Sequence, residues 1–150
     1  MQTYLIYLHL RPYVREWLVN AYGEPVKFPE HGCENAEIRR HLIPLPVGKT
    51  PDACRPGDVA IVLPNSSRRK LTTYNYMPQS GKDCIAGIIN DIFDCDLKSS
   101  VRESVKNRVP IHLAVRAWRI KHGISIEHEN TLKQRINRMI MSLRKKNIQI

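Results

Sequence analysis

The sequence predicts an α+β protein, with a small β-sheet and helices in the N-terminal half and a basic, helical C-terminal third. Three observations predict it. Two short runs rich in strand formers, Tyr4 to Leu10 and Val59 to Leu63, both lie in the first half. After Gly81 the chain holds only one proline and two glycines, and apolar residues recur at helical spacing. The charge is also uneven: residues 1–100 carry 12 basic and 11 acidic side chains, and residues 101–150 carry 12 basic and 3 acidic.

Tyr4-Leu-Ile-Tyr-Leu-His-Leu10 predicts a first strand over residues 3–10. Pro12 suits the first position of a helix, Tyr13, Trp17 and Ala21 fall at i, i+4 and i+8, and Gly23 supplies a stop, so a helix is expected over 12–22. Glu24 to Phe28 reads as a brief strand ending at Pro29. Asn35 reads as the N-cap of a short helix through Leu42. Four prolines and two glycines between Ile43 and Gly57 predict an exposed loop. Val59-Ala-Ile-Val-Leu63 then reads as a buried strand, Asn65 to Lys70 as a basic turn, and Leu71 to Tyr76 as a partner strand closed by Pro78.

Ile85, Ile88, Ile89 and Ile92 recur at i, i+3, i+4 and i+7, and Leu97, Val101 and Val105 continue at i, i+4 and i+8. Helix is therefore expected over 81–107, as one helix or as two, since the weak helix formers of Asp94-Cys-Asp96 favour a break there. Pro110 opens another helix with Ile111, Ala114, Val115 and Trp118 on one face, and His122-Gly123 ends it. Trp118 is expected in the core. The shift in character divides the chain into a small α/β portion, residues 1–79, and a helical portion, residues 80–150, within a length that also suits one compact domain.

Composition narrows the function classes. A net charge of +10 points to an anionic partner, nucleic acid first. No apolar run approaches the ~20 residues of a membrane-spanning helix, so no membrane association is expected. Met1-Gln2-Thr3 lacks a basic leader, and Cys33, Cys54, Cys84 and Cys95 form neither a CxxC pair nor a dense disulfide framework. The reading is cytoplasmic, with reduced thiols.

The last helix carries the most informative pattern. Thr131 and Gln134 have capping-box spacing, with Ser125 as an alternative N-cap. Leu132, Ile136, Met139, Ile140 and Leu143 share one side, while Gln134, Asn137, Arg138, Met141, Arg144 and Lys145 form the opposite one, flanked by Lys133, Arg135 and Lys146. No acidic residue follows Glu129. Joined through Gly123-Ile124-Ser125 to the helix before it, this segment makes residues 110–146 resemble a helix-turn-helix pair. That resemblance implies DNA binding without catalysis, in a regulatory or replication role. Asn130, Thr131, Lys133, Gln134 and Asn137 would read base edges, since Gln and Asn match adenine N6 and N7; Arg135, Arg138, Arg144, Lys145 and Lys146 would neutralise phosphate or flank it.

Other chemistry has weaker footing. Pro46-Val-Gly-Lys-Thr50 resembles the end of a phosphate-binding loop, but Ile43 stands where glycine is needed and Pro51 opposes a helix start. His31, Cys33, His41 and Cys54 are metal-ligand types without paired spacing. Asp91, Asp94, Asp96 and Glu103 read as a solvated acidic surface rather than a nuclease centre. No catalytic residue, metal or cofactor is therefore assigned. The alternatives are a protein-interaction or homodimerisation module built on the C-terminal helical pair, and RNA binding aided by stacking on Tyr74 and Tyr76.

Overall fold

The computed structural model describes residues 3–145, in the order β1 (Leu5–His9), α1 (Pro12–Tyr22), α2 (Cys33–His41), β2 (Asp58–Val62), α3 (Gln79–Lys106), α4 (Ile111–Lys121), a 3-10 turn (Ile126–His128) and α5 (Glu129–Lys145). It is an α+β fold: the two strands pair antiparallel, with Leu5 opposite Val62 and His9 opposite Asp58. Strand alternation sends Ile6, Leu8, Val59 and Ile61 to one face, where all four are buried. The chain divides into two compact units, Met1–Asn90 and Asp91–Ile150. The division falls inside α3, whereas the change in composition at Ser80 marks that helix's start.

In the first unit, Pro12 opens α1 and Gly23, at φ +81°, closes it with its N–H donating to the Val19 carbonyl at 2.7 Å. Tyr13, Val14, Trp17 and Leu18 form its buried face; Ala21 is exposed. α2 begins at Cys33, with Gly32 as its N-cap, and ends at His41. Asn35 does not cap it. Its buried amide instead donates to the Phe28 and Pro29 carbonyls at 3.3 and 3.0 Å, tethering the preceding loop. Glu24 to Phe28 contributes only a bridge between Val26 and Ile61.

Leu71 to Tyr76 is not a strand, and the partner of β2 is β1. Local hydrogen bonding outcompetes a ladder there: Tyr74 N–H reaches the Lys70 carbonyl at 2.8 Å, and the Asn75 amide reaches the Leu71 carbonyl at 2.9 Å. Only Tyr76 pairs, as a bridge to Ile43. Residues 44–57 hold no regular element, as the prolines require, yet the loop is fastened: Asp52 accepts from the Tyr7 N–H at 3.1 Å and pairs with Lys82 at 2.6 Å.

α3 runs unbroken through Asp94-Cys95-Asp96. Tertiary contacts override the weak local propensity, since Phe93 and Leu97 are both fully buried and Asp94 is held by Arg135 of α5. The buried row is Ile85, Ile89, Phe93, Leu97 and Val101, while Ile88 is half-buried and Ile92 and Val105 are exposed. In the second unit, Ala114, Val115 and Trp118 form the buried face of α4. Trp118 meets Phe93 edge-on, with ring centroids 5.4 Å apart.

Gly123 ends α4 at φ +67°, its N–H donating to Ile120 and that of Ile124 to Arg119, the paired bonds of a Schellman cap. Ile124 is buried behind it. Ser125 then precedes the 3-10 turn, which leads directly into α5. Thr131 is therefore inside α5 and is not its cap. No helix among the described residues is long and apolar enough to cross a membrane.

Candidate nucleic-acid interface

α5 is positioned by two apolar side chains and two sets of charges. Leu132 and Ile136, one turn apart, are 0% and 1% exposed. Met139 and Ile140 are half-buried at the far end of the same row. At its start, Glu129 accepts from Arg116 Nε at 3.1 Å and Arg119 Nε at 3.4 Å, and Lys133 Nζ lies 3.8 Å from its other oxygen. Those donors, above all the Arg116 hydrogen bond, hold the Glu129 carboxyl below its usual range. An acidic group in the first turn also favours the helix dipole.

The second set is a two-bond fork. Arg135 Nε donates to Asp94 Oδ1 at 2.6 Å, and its Nη2 donates to Asp94 Oδ2 at 2.7 Å. Two residues along α3, His122 Nε2 lies 3.6 Å from Asp96 Oδ2, and burial pushes the His122 imidazole below its ordinary value despite that carboxylate. Asp94 is thus a half-buried anchor rather than part of a solvated surface.

These contacts sort the predicted interface residues. Asn130, Thr131, Gln134, Asn137 and Arg138 are all exposed and share the side of α5 away from Leu132 and Ile136. Lys133 and Arg135 are half-buried and turned to carboxylates of their own unit. Arg144 and Lys145 stand in the last turn of α5; their side chains, that of Leu143, and Lys146 altogether lie outside the described residues. No protein-family model, no curated protein and no solved structure matches the chain.

Sequence reasoning missed the Glu129 cluster, although Glu129 and Lys133 at i, i+4 were a visible part of it. Tyr74 and Tyr76 do not form a stacking platform on a strand. Both are half-buried in the segment that turns, and the Arg69 guanidinium sits 5.7 Å over the Tyr74 ring.

The first unit holds a polar cleft of about 430 Å³ lined by His9, Asp52, Arg55, Asp58, Gln79, Lys82 and Asp83 among others. Its charges largely pair off: Asp58 accepts from His9 Nδ1 at 3.2 Å and from the Arg55 N–H at 3.1 Å, Lys82 holds Asp52, and Gln79 holds Asp83 at 2.9 Å. Among the described residues one group of three metal-ligand side chains comes together, Glu37, His41 and Cys84, also in this unit.

Proposed function

We propose that the protein is a non-enzymatic DNA-binding protein that lays the exposed side of α5 against duplex DNA, in a regulatory or replication role. The observation that supports this reading is the division of α5 into a buried apolar row and an opposite side of amides and a guanidinium. Asn130, Gln134 and Asn137 offer both donors and acceptors there, and Arg138 offers charge. Such a side suits base edges flanked by phosphates. Residues 122–128 join α4 to α5, with Gly123 near their start and the 3-10 turn at their end, a connection of helix-turn-helix type although longer than the roughly three or four residues usual for it. Binding titrations of the full chain with duplex DNA, single-stranded DNA and structured RNA at several salt concentrations test the assignment. Duplex DNA is expected to bind tightest, and a stronger preference for RNA would overturn it.

A second reading is favoured by one observation. Leu113, Ala117 and Ile120 form an exposed row on α4 with Leu113 at 42% and Ile120 at 63%, and Ile126 is 73% exposed. Such a row suits a protein partner or a second copy of this chain. Sedimentation of wild type and Ile120→Asp separates the two: a dimer lost in the variant supports an interaction role.

A further inference from the structure

We infer that Glu37, His41 and Cys84 form a zinc-type metal site. One ligand atom from each lies within 4.8 Å of the others. Two come from α2 at i and i+4, which places them on one face, and the third comes from α3. The set mixes a carboxylate oxygen, an imidazole nitrogen and a thiol sulfur, a donor chemistry that suits a borderline-soft ion such as Zn²⁺.

The local geometry prepares the site. Glu37 Oε2 and His41 Nε2 are 3.8 Å apart. Tetrahedral zinc, with bonds of about 2.0–2.3 Å, separates its donors by about 3.3–3.6 Å, so the pair is nearly at ligand spacing. Arg40 Nη1 donates to the other carboxylate oxygen of Glu37 at 2.9 Å, leaving Oε2 turned toward the imidazole. Gly81 explains how α3 comes this close. A Cβ at 81 would lie 2.9 Å from the His41 Cβ and 2.9 Å from Met77 Cγ, so only glycine lets the first turn of α3 rest on His41. Cys84, three residues on, then shares that face of α3. Glu37 and His41 are half-buried while Cys84 is exposed, which gives an ion an entry path.

Three protein ligands leave a fourth position for water or a small anion. Binding releases the Cys84 thiol proton to solvent, so the carboxylate and thiolate together balance the dication. This site is separate from α5, and its test does not depend on DNA binding.

Cys33, Cys54 and Cys95 are exposed too, so each is first replaced by Ser to leave Cys84 as the single thiol. Co²⁺ titrated into that full-length chain should give a thiolate-to-metal absorption band in the near ultraviolet, saturating at one ion per chain and displaced by Zn²⁺. Cys84→Ser should abolish the band. His41→Ala and the near-isosteric Glu37→Gln should each weaken Co²⁺ at least about tenfold, because even changes to groups behind the ligands cost about 10–100-fold at such sites. Circular dichroism of each variant confirms folding, and Glu37→Gln carries the test should His41→Ala unfold. No band, or a band unchanged in a folded Glu37→Gln or His41→Ala chain, would overturn the site.

Discussion

Asp94 of α3 receives both arms of the Arg135 fork from α5, at 2.6 and 2.7 Å, across 41 residues of sequence. The pair pins α5 to the second half of α3 and removes Arg135 from the face that would meet an anion. Arg135 therefore separates a structural role from an electrostatic one.

Arg135→Ala should lower stability by about 1 kcal/mol, the scale of a well-formed but partly exposed pair. Its effect on the salt slope of DNA binding should be small. A double-mutant cycle with Asp94→Ala in chemical denaturation checks the coupling, and two fully additive single losses would contradict it.

Ile136→Ala should cost about 2–5 kcal/mol, because the side chain is 1% exposed and its removal leaves a cavity beside Leu132. Denaturant unfolding measures this. A loss under about 0.5 kcal/mol would mean that the row does not hold α5 in place.

Acid should weaken the fold through Glu129 and, at higher pH, through His122. The Glu129 carboxyl is lowered in the fold, so its contribution is complete above the ordinary carboxylate value and disappears as pH falls through the lowered one. His122 is lowered by burial, so the unfolded chain takes up a proton first and stability declines as pH drops below the ordinary imidazole value. Thermal melts across pH should show both steps. Glu129→Gln should remove the more acidic one, and an unchanged profile would contradict its assignment.

Gln134→Ala with Asn137→Ala should narrow the gap between a preferred and a random duplex by about 1–3 kcal/mol per lost base contact while sparing the salt slope. Selection from random duplexes, followed by competition binding, provides the measurement. If wild type selects no sequence, these amides do not read bases.

Local signals were legible in the sequence and long-range ones were not. Pro12 and Gly23 bound α1, and Pro110 and Gly123 bound α4, because proline and glycine act through the backbone alone. The spacing of Leu132 and Ile136 likewise announces which side of α5 is buried. Leu71 to Tyr76 has strand composition, but Asn75 and Lys70 satisfy the backbone in a turn. Asp94 and Asp96 weaken the helix locally, and its continuity rests on the burial of Phe93 and Leu97 and on the distant partner of Asp94, Arg135. The same distance problem hid one interface correction: nothing in the spacing of α5 reveals that Arg135 faces Asp94, whereas the partner of Lys133, Glu129, stands at i, i+4 on the same helix. Glu37 and His41 show ligand spacing, yet Cys84 arrives from another helix 43 residues later.

Positive charge on α5 would draw duplex DNA to it, and the salt dependence of duplex binding measures that attraction. Replacing Arg138, Arg144 and Lys145 together by Ala should weaken every duplex alike and reduce the slope of log K against log salt by up to about 3, since each phosphate contact contributes about 0.9. Stability should be unchanged for Arg138→Ala, whose side chain is exposed. Affinity and slope equal to wild type in the folded triple variant would mean that α5 does not contact phosphate.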